Sequence, residues 1–185
     1  LLYKLAPEQT LRASDEFRQA IAAHPDSAAA HAGLSISLMQ TAMFGLRPHT
    51  ELLGPASESV ARALALDPGL ATAHYAAGLL ALVRDWDFAK SEAEFQRALE
   101  LDPRSVQVRL GYARLKLAAG GAEQALPLVE EALRLDPASP PLGVEYCRVF
   151  YFRRDFQRAE SECRKVLERE PGYTLARYYL ALSLG

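Results

Sequence analysis

Asparagine is absent from this 185-residue sequence, so it offers no Asn-X-Ser/Thr glycosylation acceptor. Cysteine occurs twice, at 147 and 163, too few for a disulfide framework, and this leaves the redox compartment open. An excess of either charge is missing too. The 21 Lys and Arg against 23 Asp and Glu argue against a module that binds nucleic acid through a strong positive field. There is no Gly-rich phosphate loop, nucleophile elbow or His-Glu metal helix. The chain does not begin with Met, and its stretch from Leu1 does not read as a signal peptide. The uncharged stretch 27–46 has transmembrane length, but His31, Ser35, Ser37, Gln40 and Thr41 are spread around the whole helix. A second uncharged stretch, 69–83, stands at an equivalent place. Both read as buried helices, and no membrane span is expected. With 50% hydrophobic and 24% charged residues, a largely disordered chain is excluded.

What is present is a period. Helical segments end at Pro25, Pro68, Pro103, Pro137 and Pro171, at intervals of 43, 35, 34 and 34 residues. Each proline drives the residue before it out of the α region, closing one helix and opening a turn. Five residues before the prolines lie Ala20, Ala63, Ala98, Ala132 and Val166. Eight before lie Phe17, Val60, Phe95, Val129 and Cys163, and twelve before lie Ala13, Ala56, Ser91, Ala125 and Ala159. Offsets of three and four put all three sites on one face of a helix, here termed helix B. Ten residues after the prolines stand Ser35, Gly78, Ala113, Cys147 and Ala181, small in every copy. They belong to a second helix, helix A, so each unit is an antiparallel pair with a small-residue seam. Cys147 and Cys163 replace seam residues and read as buried, inert thiols.

This pattern resembles the tetratricopeptide repeat, a 34-residue helix-turn-helix with small residues at its seams and Pro at its end. Gly111-Tyr112-Ala113 with Gly120-Gly121, Ala125, Ala132 and Pro137 is a nearly full match, and Arg154-Asp155-Phe156 with Ala159 and Pro171 is another. The resemblance covers the whole chain. It implies an all-α fold, a right-handed superhelix of antiparallel helix pairs forming a single array. Its repeats are expected at 1–25 (partial), 26–68 with an insertion at 41–50, 69–103, 104–137, 138–171 and 172–185 (partial). A partial helix A from Leu1 leads into helix B of the first repeat at about Arg12. Helix A of the sixth repeat ends the sequence without a polar cap, so a larger parent protein or a covering partner is expected.

Two departures from regularity stand out. The 43-residue interval places Gly45 to Thr50, including Pro48, between helices A and B of the second repeat, where a bulging loop is expected. The 35-residue interval carries Asp85-Trp86-Asp87-Phe88 at its turn. Helix capping accounts for these Asp residues more simply than acid/base chemistry does. The pair of irregularities also resembles the tetratricopeptide arrays attached to bacterial winged-helix regulators, kinases or cyclases.

In the family the concave wall is lined by helix A. Sites seven, eleven and fourteen after Pro lie about a third of a turn from the seam. They make the candidate peptide-binding groove Tyr75, Leu79, Leu110, Arg114, Val144, Arg148, Tyr151 and Tyr178. Arg114 and Arg148 stand one repeat apart and can reach one carboxylate of a bound peptide, or alternatively the chain's own Glu residues. The family's two-carboxylate clamp of Lys and Asn cannot be assembled without Asn. Tyr151, Phe152 and Tyr178 fall outside the seam, where exposed aromatics mark an interaction surface. His24, His31, His49 and His74 never share helical spacing with one another or with Cys, so no metal, cofactor or catalytic residue is expected. The reading is a non-catalytic scaffold that binds a protein or peptide. The alternative is a sensory or autoregulatory module of a larger bacterial signalling or transcription-regulating protein. Partners are a protein or peptide, an effector domain of the same chain, or a second copy met through the uncapped last helix. Direct nucleic-acid binding is not expected, and a cytoplasmic location is.

Overall fold

The computed structural model describes residues 7–43 and 45–185. Among them run ten α-helices: α1 (Pro7–Ala23), α2 (Ala28–Met43), α3 (His49–Leu66), α4 (Ala71–Leu80), α5 (Phe88–Leu101), α6 (Val106–Ala118), α7 (Ala122–Leu135), α8 (Pro140–Phe152), α9 (Phe156–Arg169) and α10 (Thr174–Leu184). A π-helical turn, Ala81–Asp85, follows α4 directly. Backbone contacts divide the chain into two compact units, Leu1–Pro103 and Arg104–Gly185. The first holds α1 to α5 and the second α6 to α10. The expected first helix B begins at Pro7 rather than near Arg12, because α1 runs unbroken through that position. The partial helix expected from Leu1 falls largely outside the described residues.

The B helices α3, α5, α7 and α9 stop for the same reason. Asp67, Asp102, Asp136 and Glu170 turn extended, with φ between −145° and −131°, as the following proline demands. Their N–H groups still donate to the carbonyls of Ala63, Ala98, Ala132 and Val166 at 2.9–3.0 Å, so the last turn is closed before the chain departs. The A-to-B turns share a second rule. Gly120, Arg154 and Trp86 take positive φ, 79°, 61° and 53°. The amide after each reaches back to close the helix end: Gly121 to Lys116 O (2.8 Å), Asp155 to Phe150 O (3.0 Å) and Asp87 to Ala81 O (3.0 Å).

These turns explain both irregular intervals. Gly120 and Arg154 stand seventeen residues after their prolines and Trp86 eighteen. The π-helical turn takes up that one extra residue, as such single-residue insertions do. Against the pair α6 and α7, α2 is three residues longer and α3 four, so most of the nine-residue excess is helical, and Gly45 to Pro48 between them are exposed. Pro48 sits at the N-cap of α3, where its missing N–H costs no hydrogen bond.

The seam of each pair holds its core. In the first unit Gly78 lies beneath the Phe95 ring, so close that a Cβ on Gly78 would stand 2.6 Å from it. Ser91 Oγ donates to Gly78 O at 2.8 Å and Ser35 Oγ to Ala56 O at 2.8 Å, which satisfies both buried hydroxyls. In the second unit the equivalent pair Ala113 and Val129 shares one core. The next pair is Cys147 and Cys163, and here the expectation of free thiols is corrected: the two form a disulfide, with Cα atoms 5.4 Å apart. They are buried as expected, at 0% exposure. The seam itself brings a small A site against the middle B site, and two thiols there meet at bonding range.

Candidate functional site

Of the candidate groove residues, Tyr75, Leu79, Leu110 and Val144 are no more than 5% exposed. They are core residues, which corrects their placement on an open wall. Tyr75 packs against Phe95, ring centroids 5.7 Å apart, and Val144 joins the cluster around the disulfide. The third-of-a-turn offset from the seam is small enough that helix B still packs on Tyr75 and Val144. Arg114, Arg148, Tyr151 and Tyr178 remain at least partly accessible, and all four belong to the second unit.

The two arginines converge on one carboxylate, and it is the chain's own. Arg114 Nε donates to Glu145 Oε2 at 3.0 Å, and Arg148 Nη1 donates to Glu145 Oε1 at 2.6 Å. Glu145 has 0% exposure, against 34% and 21% for the arginine side chains. A carboxylate so deeply buried is tolerable only because both oxygens accept charge-assisted bonds. Arg148 Nε donates to Tyr179 Oη at 3.0 Å, and its guanidinium lies over the same ring at 5.3 Å from the centroid. Tyr173 stands nearby with its hydroxyl pKa raised, chiefly by burial, while the Arg114 charge pulls the other way.

Beside this ionic knot lies an aromatic surface. Tyr151 meets Phe152, Phe156 and Tyr179 with ring centroids 5.5, 5.7 and 5.5 Å apart. Phe152 is 48% and Phe156 44% exposed. Tyr178, 56% exposed, packs edge-on against Tyr179 at 5.2 Å. α8 ends at Phe152 and α9 begins at Phe156, so the left-handed turn at Arg154 lets both rings meet Tyr151. Asp155 secures that turn by accepting from Arg158 N at 3.2 Å. The composition is that of an interaction patch, with rigid rings requiring little ordering. Glu145 and Phe156 were not among the candidates read from sequence. Glu145 does carry a signal, since eight residues after the earlier prolines stand Gly33, Ala76 and Gly111.

The Asp85 to Phe88 turn divides its two acids. Asp87 caps α5 by accepting from Lys90 N at 2.9 Å. Asp85 pairs instead with Arg84 at 2.6 Å, and that hydrogen bond lowers its pKa and raises the arginine's. Trp86 projects with 73% exposure. His74 sets Nδ1 against Glu94 Oε2 at 2.7 Å and Nε2 against Pro68 O at 2.9 Å, while His31 Nε2 meets Pro25 O at 2.9 Å. Among the described residues no group of three His, Cys, Asp or Glu side chains could hold a metal ion, and no helix is long and apolar enough to cross a membrane.

A family model of the tetratricopeptide repeat matches residues 82–142 and 116–184, together more than half of the chain. Among curated proteins, none matches the sequence. Among solved structures, a thermophilic TPR protein of Thermus thermophilus is similar with a TM-score of 0.75 at 17% identity, over 97% of this chain and 99% of that one. YrrB, described as a TPR protein with an unusual peptide-binding site, is similar at TM-score 0.62 and 20% identity, over 92% and 83% of the two chains. Human IFIT1, solved as a dimer with m7Gppp-AAAA, gives a TM-score of 0.80 at 19% identity over 95% of this chain but only 41% of its own. At these identities the likeness is one of fold.

Proposed function

The chain belongs to the tetratricopeptide repeat family, and on that premise we propose that it is a non-catalytic scaffold that binds a protein or peptide segment through the second unit. The carrying observation is the ring cluster of Tyr151, Phe152 and Phe156, apolar and partly open to solvent beside Arg148. Apolar side chains of the segment pack on the rings, and one of its carboxylates shares Arg114 and Arg148 with Glu145, which fixes orientation. YrrB, a member of the same fold, is described by its peptide-binding site, and this supports the reading. The near-neutral charge supports a protein ligand over RNA, despite the likeness to IFIT1.

A peptide-display selection against the 185-residue chain tests this. Enriched peptides should lose at least about tenfold in affinity with Phe152→Ser/Phe156→Ser, about 1.4 kcal/mol or more, while thermal unfolding shifts little. Failure of any peptide to enrich, or equal binding by the variant, contradicts the reading.

A second reading, a regulatory module within a larger signalling chain, draws on the exposed Trp86 held out by its left-handed turn. A tryptophan in that posture suits an anchor for a neighbouring domain. Measuring the activity of the intact parent protein with Trp86→Ala tests it: altered regulation supports the reading, and unchanged regulation removes it.

A further inference from the structure

Six residues after the repeat prolines stand His31, His74, Arg109, Gly143 and Arg177. In α2 and α4 the histidine ring folds back on the turn before its helix, Nε2 donating to Pro25 O and to Pro68 O at 2.9 Å. At 143 there is no side chain to do so. Arg169, from the end of α9, takes over that carbonyl, its Nη1 donating to Pro137 O at 3.3 Å. The hydrogen bond of the histidine is thus replaced, but the volume of its ring is not.

That volume remains as a hollow of about 160 Å³ between α7, α8 and α9, with Leu133, Pro140, Gly143, Tyr146 and Val166 in its walls. A cavity of about 150 Å³ holds one benzene ring, so a single ring is the scale. Val166 keeps position 143 small, since a Cβ there would stand 2.6 Å from Val166 Cγ2. At the site of Val166 the two histidine-bearing repeats carry Ala63 and Ala98. A second recess of about 550 Å³ shares Leu133, Pro137 and Tyr146 with the hollow and continues it toward Glu130 and Arg134.

The charged groups of the hollow are unbalanced. Arg169 has no carboxylate partner among the described residues. Lys165 Nζ pairs with Glu162 Oε1 at 2.8 Å, and its side chain is well exposed, so that pair is loosely held. Two cations against one carboxylate leave an excess of one positive charge. Ser139 adds a hydroxyl, buried at 3% exposure, whose Oγ has no hydrogen-bond partner. At the equivalent site Ser27 and Ser105 cap their helices, accepting from Ala30 N and Val108 N at 3.3 and 3.4 Å, whereas Ser139 caps nothing. A buried hydroxyl left this way costs stability until something meets it.

We infer that this hollow binds a small carboxylic acid carrying one apolar ring. The ring takes the space that a histidine fills in the earlier repeats, and the carboxylate accepts from Arg169, Lys165 and Ser139 Oγ. A monoanion matches the single excess positive charge, while Glu162 disfavours a dianion such as phosphate. The hollow lies at the N-terminal end of α8 and the Phe152 and Phe156 patch at its C-terminal end, so the two readings fail independently.

Amide chemical-shift titration of the 185-residue chain with benzoate gives the test. Saturable shifts are expected at Ser139, Gly143, Tyr146 and Val166, with Kd on the order of 1 mM for so small a ligand. Benzamide keeps the ring without the charge and acetate the charge without the ring, and each should bind at least about fivefold more weakly. Arg169→Gln should weaken benzoate about tenfold. Ser139→Ala should weaken it about threefold and leave the melting temperature unchanged or higher, because the lost hydroxyl bonds nothing in the folded chain. Gly143→His/Val166→Ala installs the pair that His74 and Ala98 make, and it should lose benzoate while circular dichroism verifies its helices. A peptide ending in phenylalanine presents the same groups. Acetyl-glycyl-phenylalanine binding the hollow more tightly than benzoate makes a chain end the source of the ligand, and weaker binding makes it a free acid. Shifts that map elsewhere, no saturation by about 20 mM, or equal binding of benzamide or acetate overturn the proposal. So does full affinity in Arg169→Gln, or a melting temperature lowered by Ser139→Ala, since that hydroxyl would then serve the fold.

Discussion

Arg114 and Glu145 meet at 3.0 Å across 31 residues of sequence, and Arg148 reaches Tyr179 at the same distance and the same separation. Eleven residues after one proline, a guanidinium Nε donates to the residue eight after the next. The two arginines are therefore a repeated joint between successive A helices, and Arg148 also closes on Glu145 within its own helix. This changes what their removal should do. Arg114→Met/Arg148→Met strands a buried carboxylate, and urea unfolding should show a loss of about 3–5 kcal/mol. Arginines that served only a ligand would leave unfolding nearly unchanged in such a variant. Adding Glu145→Leu should recover most of the loss, since an apolar core of similar volume is often as stable as a buried ionic cluster. A double variant as stable as the wild type contradicts the joint.

The Cys147–Cys163 bridge closes a loop with a sequence separation of 16. Chain entropy for such a loop gives a stabilisation of about 3 kcal/mol. Cys147→Ala/Cys163→Val copies the neighbouring Ala113 and Val129 pair, so packing is kept and only the cross-link is lost. Its unfolding free energy should fall by about 3 kcal/mol, with helix content unchanged by circular dichroism. With both sulfurs fully buried, reduction of the wild type should wait on local opening and be slow under native conditions. Rapid reduction by a small thiol without denaturant would show the bridge to be open to solvent.

Gly78 and Phe95 make the tightest seam. Gly78→Val should cost about 1–3 kcal/mol in thermal or urea unfolding, because the new side chain enters the ring's space. Shrinking the ring with Phe95→Ala should cost about 3–5 kcal/mol alone. The two changes together should cost less than their sum if the residues share one volume. Strict additivity contradicts direct packing.

Tyr173 has its pKa raised above the ordinary tyrosine value by burial. The folded state then holds its proton longer than the unfolded state. Its contribution is fully present below pH of about 10 and declines as pH rises through the folded pKa. Thermal unfolding between about pH 9 and 11 should therefore fall less steeply for Tyr173→Phe than for the wild type. Parallel slopes would show that Tyr173 ionises alike in both states.

Much of the fold was legible because prolines and small residues mark helix ends and seams directly. The offsets of Phe95, Val129 and Cys163 named the buried B sites, and those of Gly78, Ala113 and Cys147 named their partners. The two odd intervals were legible as irregular but not in form. A π-helical turn at Ala81–Asp85 and a lengthened α3 (His49–Leu66) both depend on local hydrogen bonding that residue counts do not specify. Candidate surface residues fared differently. A third-of-a-turn offset leaves Tyr75 and Val144 under helix B, and burial depends on the neighbour's width as much as on angle. The Arg–Glu–Arg knot was half legible: the arginines stood out by period, while Glu145 stands at a site filled in the three preceding repeats by Gly or Ala and showed itself only as an exception there.

The most direct measurement is amide chemical-shift mapping of the 185-residue chain on titration with a display-selected peptide. The account predicts perturbations that concentrate at residues 148–156, around Arg148, Tyr151, Phe152 and Phe156. Perturbations confined to the first unit or to the solvent faces of the B helices would contradict it.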